Sequence, residues 1–223
     1  MAPPPAVLLD LDGTLIDSHP GIQESCLAAL RALGHQPDES FDIRSSIGPP
    51  LEEIIRDLLQ SFGDDRVEAG VLAYRRHYGE SGFLGSVLYP GIAEAITALK
   101  QSGSRLYLAT SKREIFARRI LEHLKLADLF DGVHGSVPGG ERDHKPELLA
   151  YVVAQNGIDP SRGVMVGDRR YDVIGARAVG MLSLGVLWGY GEREELLEAG
   201  ANALATSPTD LVSALSSMFE GRP

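Results

Sequence analysis

Apolar and polar positions follow two rhythms along this chain, and the change between them divides it. Ala6-Val7-Leu8-Leu9 is an unbroken apolar run closed by Asp10, the pattern of a strand buried on both faces. From Pro20 to Gly34 the apolar residues Ile22, Cys26, Leu27, Leu30 and Leu33 keep helical spacing. A second stripe follows Pro49 and Pro50, made of Leu51, Ile54, Ile55, Leu58, Leu59 and Phe62, with proline at its start as helix geometry favours. A third helical stretch covers about 64–78. No period-2 run appears between Pro20 and Gly79, so this block is expected to be helical throughout.

Beyond Gly82 the pattern alternates. Helices are predicted over 91–102, 113–125, 145–156, 171–179 and 192–199, and a last one from Ser207, an N-cap followed by Pro208. Between them lie short apolar strands at 105–109, 132–134, 163–166, 182–187 and 203–205. Helix–strand alternation with buried strands predicts an α/β fold, a Rossmann-like parallel sheet covered on both faces. Residues 1–16 and 87–223 are expected to form that core, and residues 17–86 an all-helical cap inserted after its first strand.

Composition narrows the partners. The chain has 223 residues and a net charge of −10, with 31 acidic against 21 basic residues, so it lacks the positive footprint that nucleic-acid phosphates require. Apolar residues make up 43% and charged residues 23%, ordinary for a globular protein. A lone Cys26 cannot form an internal disulfide or a multi-cysteine metal site, which fits a reducing compartment. The longest uncharged stretch, from Ala178 to Gly191, holds four glycines in 14 residues, too short and too broken to span a membrane. The start carries no basic region before its apolar run. A cytoplasmic protein is expected, with no nucleic-acid or membrane partner; oligomeric state is left open.

Parallel sheets place ligands beyond the carboxyl ends of their strands, so the residues there matter most. The first strand ends in Asp10-Leu11-Asp12-Gly13-Thr14, where period 2 turns both carboxylates to one side. The second ends in Thr110-Ser111-Lys112, two hydroxyls beside an ammonium. The strand at 163–166 runs into Gly167-Asp168-Arg169-Arg170-Tyr171-Asp172, and Asp143-His144-Lys145-Pro146 opens a helix. Singly, each has a bland explanation as a turn, a cap or a solvated side chain. Together, four carboxylates at one sheet edge repel unless neutralised. A divalent cation with Lys145 supplies most of that charge, oxygen-only ligands suit Mg²⁺, and the hydroxyls and Lys145 offer donors to a phosphoryl group.

These ordered motifs, Asp10-Leu11-Asp12-Gly13-Thr14, Thr110, Lys145 and Gly167-Asp168 with Asp172, resemble those of the haloacid dehalogenase superfamily. The branch is the one containing phosphoglycolate phosphatases and β-phosphoglucomutases, and the resemblance covers essentially the whole chain, cap included. It implies a phosphatase in which Asp10 attacks phosphorus to form an aspartyl-phosphate, and Asp12 serves as general acid and then base. It implies Mg²⁺ held by Asp10, the carbonyl of Asp12 and Asp168, and Thr110 and Lys145 on the phosphoryl oxygens, with Ser111 lending a backbone N–H. Asp172 stands behind them, either reaching the metal through water or pairing with Lys145. Glu147 follows Lys145-Pro146 where many relatives repeat a proline, which puts the local turn in question.

Neighbouring activities can be weighed by residue. A dehalogenase needs neither Asp12 nor magnesium. A phosphonatase needs a cap lysine, and the only lysines are at 100, 112, 125 and 145. A phosphomutase carries a cap histidine where this chain has Ile22, and nearby His19 reads as a surface residue. Substrate choice is expected from the cap loop 42–50, where Arg44 is either the ligand of an anionic tail or a solvated side chain, and Gly48 either permits close approach or ends the loop. Arg75, Arg76, Arg118 and Arg119 read as solvated helix faces, and Trp188 as packing. The expected substrate is a small phosphomonoester, phosphoglycolate first. A 5′-nucleotidase-like or broad sugar-phosphate or phosphotyrosine phosphatase is the alternative, ahead of a phosphomutase or a non-catalytic phosphate-binding protein.

Overall fold

The computed structural model describes residues 5–38 and 41–220; of the proline run at 3–5 only Pro5 lies within them. Six parallel strands form one sheet in the order β5-β4-β1-β6-β7-β8: β1 (Ala6–Leu9), β4 (Arg105–Arg113), β5 (Gly132–Ser136), β6 (Gly163–Gly167), β7 (Leu182–Val186) and β8 (Ala203–Ala205). Alternate residues of each central strand supply opposite faces. Val7, Leu9, Leu106, Leu108, Val164 and Val166 pack on one side with α4 (Ile92–Gln101), α5 (Glu114–His123) and α9 (Leu211–Glu220). Ala6, Leu8, Tyr107, Ala109 and Met165 pack on the other with α6 (Lys145–Asn156) and α7 (Arg170–Ala178). A sheet buried on both sides explains why its strands read as apolar runs. The remaining core helix is α8 (Arg193–Ala199).

The chain leaves β1 through a tight loop and returns through a two-stranded antiparallel ribbon, β2 (Ile16–Asp17) with β3 (Val87–Leu88). Between these lie α1 (His19–Ala32), α2 (Leu51–Gln60) and α3 (Val67–Glu80), with one 3₁₀ turn at Arg44–Ser46 and another at Gly82–Gly85. No strand lies between Pro20 and Gly79 among the described residues. The ribbon went unpredicted because two-residue strands carry no period. Tyr190 fixes the exit from it: its hydroxyl donates to Asp17 and accepts from the backbone N–H of Ser18 and His19. Apolar side chains of α1 and α3, including Ile22, Tyr74 and Tyr78, join the same cluster as the sheet, so the insert and the α4–α5 side of the sheet share one core.

Two other differences matter for the site. β4 runs four residues past its predicted end, with a register shift between Ala109 and Arg113 that carries Thr110, Ser111 and Lys112. Such irregularities re-aim side chains. Helix α6 starts at Lys145 with Pro146 in its first turn, so Glu147 does not disturb the local geometry.

Candidate active site

Asp10 and Asp168 stand just beyond the carboxyl ends of β1 and β6, and Thr110 lies in the irregular last part of β4, on the other side of β1 from β6. Pairing fixes their separation: Leu9 lies beside Leu108 and beside Val166, so the loops that follow emerge side by side. Gly13 makes this packing possible. Its φ is +80°, and a Cβ there would overlap the carboxylate of Asp168.

Asp10, Asp168 and Asp172 each present one oxygen within 4.8 Å of the others, all three buried. Lys145 enters from the first residue of α6, its Nζ 2.9 Å from Asp10 Oδ1, 2.6 Å from Asp172 Oδ1, and donating to the Ala109 carbonyl at 2.8 Å. Its hydrogen bond goes to that carbonyl, and the two carboxylates are ion-pair contacts whose facing oxygens have no hydrogen-bond partner in the protein. Of the two arrangements left open for Asp172, the structure has the pairing with Lys145; its other oxygen accepts from the backbone N–H of Arg169. Asp168 accepts from the Thr14 hydroxyl at 3.2 Å and the Tyr190 N–H at 2.8 Å.

Burial dominates the electrostatics. It pushes the Asp10 carboxyl up to about 6, with Lys145 pulling the other way and Asp172 and Asp12 adding to the rise. Burial, then Asp172 and Asp10, push Asp168 up to about 8. Burial works against the Lys145 ammonium, but Asp10 and Asp172 outweigh it and hold its pKa above the usual lysine value. The cluster therefore carries more negative charge than it can hold.

Asp12 stands apart from this cluster. Its Oδ2 is 2.9 Å from the Nζ of Lys112, and its Oδ1 is buried with no hydrogen-bond partner. Lys112 changes the charge count made from sequence, which set only Lys145 against the four carboxylates. Two ammoniums leave two negative charges over, the deficit that one divalent cation fills. The oxygen-only donor set of Asp10, Asp168 and Asp172 fits such an ion.

A pocket opens over Asp10 and Asp12, walled by Thr110, Ser111 and Lys112 from β4 and by Ile22, Ile54, Tyr74 and Tyr78 from the insert. Thr110 is buried, and its hydroxyl accepts from the Lys112 N–H at 3.2 Å. Lys145 lines an adjoining cavity that shares Gly48, Pro50, Ser111 and Asp143. Arg44 is not on the wall. It is exposed, its guanidinium 5.8 Å from the Tyr190 ring centre and its Nη2 3.3 Å from His19 Nδ1, while His19 bonds to Asp42. The 3₁₀ turn that begins at Arg44 keeps it on this outer side.

The arginines on the wall are at positions that read as solvated or carry no assignment in the sequence. Arg75 bonds to Glu52 at 2.6 Å and keeps a buried Nε without a partner; Arg113 keeps a buried Nη1 likewise. Arg119 is not solvated either, since it donates to the Gly79 carbonyl and lies over Phe83, tying α5 to the insert. Arg118 pairs with Glu114 one turn away, Arg76 is exposed, and Trp188 packs on the core and donates to the Thr14 carbonyl. Arg169 donates to Glu195 and to the carbonyls of Ser45 and Ile47, fastening loop 45–48 to the sheet edge. Gly48 serves close approach: its φ is +135° and a Cβ would press on the Arg169 side chain.

The profile of haloacid dehalogenase-like hydrolases matches residues 7–186. A 5′-nucleotidase of Pseudomonas aeruginosa is 36% identical over 194 residues, 86% of either chain. A phosphoglycolate phosphatase of Neisseria gonorrhoeae is 32% identical over 220 residues, 96% of this chain and 92% of that one. The tyrosine-protein kinase PtkA of Mycobacterium tuberculosis is 38% identical over 203 residues, 91% of this chain and 68% of that protein. Among solved structures, a predicted phosphatase from Clostridium acetobutylicum superposes with a TM-score of 0.87 at 33% identity, covering 98% of this chain and all of the other.

Proposed function

The chain belongs to the haloacid dehalogenase-like hydrolases and is a phosphatase, and from that premise we propose that it hydrolyses a small phosphomonoester with Mg²⁺ through an aspartyl-phosphate on Asp10. The observation that carries this reading is the meeting of Asp10, Asp168 and Asp172 within 4.8 Å, beside a pocket walled by Asp12, Thr110 and Ser111. Asp10 and Asp168, with the Asp12 carbonyl, would hold the cation, backed by Asp172. Bound there, it supplies the charge neutralisation that lets a carboxylate approach a phosphate. Asp10 attacks phosphorus while Asp12 protonates the departing oxygen; Asp12 then takes a proton from the water that cleaves the acyl phosphate. Thr110 and Ser111 donate to the phosphoryl oxygens, and Lys145, ion-paired with Asp10, holds it in line and offers its remaining donors to the phosphoryl group.

In this reading residues 17–86 act as the cap that selects substrate. Phosphoglycolate is favoured by the free N–H groups of Arg75 and Arg113, which suit a carboxylate tail in place of Arg44. The aromatic wall of Tyr74, Tyr78 and Phe116 favours the second reading, a nucleotide or phosphotyrosine leaving group. A cytoplasmic setting belongs to the same proposal and is supported by a single, buried cysteine, its thiol pushed up to about 12 by burial. No helix among the described residues is long and apolar enough to cross a membrane.

The test is phosphate release from phosphoglycolate, nucleoside monophosphates, sugar phosphates and phosphotyrosine, each with Mg²⁺ and with chelator. Mg²⁺-dependent release led by phosphoglycolate is expected. A nucleotide or phosphotyrosine ranked first would transfer the assignment to the second reading, and release unaffected by chelator would overturn the metal-dependent mechanism.

A further inference from the structure

Lys112 takes no part in the chemistry described so far, yet its side chain is only 7% exposed and lies at the pocket. Its Nζ is 2.9 Å from Asp12 Oδ2 and 4.6 Å from the centre of the Tyr78 ring. Tyr78 is fully buried and belongs to α3, whose end is tied to α5 through Arg119 and the Gly79 carbonyl. Lys112 therefore stands between a residue of the insert and the carboxylate that transfers protons.

We propose that Lys112 is a positioning residue that fixes the Asp12 carboxylate through Oδ2 and so presents Oδ1 to the reacting group, and that Tyr78 holds Lys112 in place for this. The inference rests on the phosphatase reading above. An ammonium has donors and no acceptor, so Oδ2, the oxygen it faces, can only accept. Oδ1, which has no partner in the protein, is then the oxygen left to give and take the proton. In the first step the Asp10 oxygen bonds to phosphorus, the ester P–O bond breaks, and the Oδ1 proton passes to the leaving oxygen. In the second, water oxygen bonds to phosphorus, the bond from Asp10 to phosphorus breaks, and a water proton returns to Oδ1. The Lys112–Oδ2 contact persists through both. The two buried lysines thus divide the work: Lys145 orients the nucleophile and Lys112 the proton donor.

The experiment uses single-turnover cleavage, with Mg²⁺, of phosphoglycolate, whose alkoxide leaves poorly, and p-nitrophenyl phosphate, whose phenolate needs little protonation. Lys112→Met should slow the first by about 100-fold and the second by less than about fivefold. Lys112→Arg, which keeps donors toward Oδ2, should recover much of the difference. In an Asp12→Asn background Lys112→Met should cost little more, because its effect runs through Asp12. Should thermal unfolding show Lys112→Met to be unfolded, Tyr78→Leu reads the same ratio and is expected to move it in the same direction, less far. Equal loss on both esters, or full loss in the Asp12→Asn background, would overturn the proposal while leaving the phosphatase reading intact. A folded wild type inert toward both esters would remove that reading and this inference with it.

Discussion

Asp10, Thr110 and Asp168 reach the site from three adjacent parallel strands, whereas Ile22, Tyr74, Arg75 and Tyr78 reach it from helices of the insert. The strand side is held by ladder hydrogen bonds and full burial, and it concentrates negative charge it cannot neutralise alone. The insert side is largely apolar, and its charges come paired, as in Arg75 with Glu52. One side stores an electrostatic deficit that a cation and a phosphate complete; the other shapes the space around a leaving group. Removing groups from the first should therefore abolish turnover, and removing them from the second should redirect it.

The sharpest break is Asp10→Asn, which removes the nucleophile but keeps the shape. Phosphate release should fall by about 10⁴-fold or more, while thermal unfolding without metal shows no loss of stability, since one of the repelling carboxylates is gone. A variant that kept a tenth of its activity would remove Asp10 from the nucleophile's role.

Metal removal probes the same deficit through pH. An unfolded aspartate titrates near ~3.9, but Asp10 is raised to about 6 and Asp168 to about 8 in the fold. Between these values the metal-free folded protein binds more protons than the unfolded chain. The stability these groups allow is therefore fully present below the unfolded pKa and is lost as pH rises toward 8. Mg²⁺ binds the ionised form, so its stabilisation should grow from pH 5 to pH 8, reaching about 2.7 kcal/mol at a concentration one hundred times Kd. Calorimetry of wild type beside Asp168→Asn isolates the effect, because the variant should lose the part of the pH slope between about 6 and about 8, which belongs to Asp168, together with the response to Mg²⁺. A wild-type response independent of pH would contradict the charge deficit.

Arg169 joins the two sides, and its loss should cost less. Arg169→Ala removes the donors to the Ser45 and Ile47 carbonyls and the bond to Glu195, freeing loop 45–48 from the sheet edge. KM should rise by about tenfold with kcat changed far less, the pattern of lost ground-state binding. A fall in kcat alone would place Arg169 with the catalytic side instead.

The same division governs what could be read from sequence. Asp10 and Asp12, Thr110, and Asp168 follow apolar runs whose ends are visible, and parallel register then places those ends together. Lys145 was legible because a proline beside it marks a helix start. Lys112 was visible as an ammonium beside two hydroxyls, but its link to Asp12 depends on the irregular register of β4, which no period reports. Arg75 and Arg76 are neighbours on one helix, and only the docking of α3 decides that the first lines the pocket and the second faces water. Arg113 was missed because it lies in the stretch of β4 beyond the predicted strand end, and Glu52, on α2, for the same reason as Arg75.

Arg44 gives the smallest effect and a direct check on that last point. By sequence it is either an anion ligand of the insert or a solvated side chain before a helix, and the fold turns it outward against Tyr190 and His19. An exposed arginine in such contacts contributes little, so Arg44→Ala should alter KM for phosphoglycolate by less than about twofold and stability by less than about 0.5 kcal/mol. Arg75→Ala and Arg113→Ala, by contrast, should raise KM for phosphoglycolate by about tenfold while sparing an ester without a second anionic group. If Arg44→Ala shows the larger and charge-selective loss, the loop must swing inward when substrate binds, and the insert side of the pocket would have to be redrawn around Arg44.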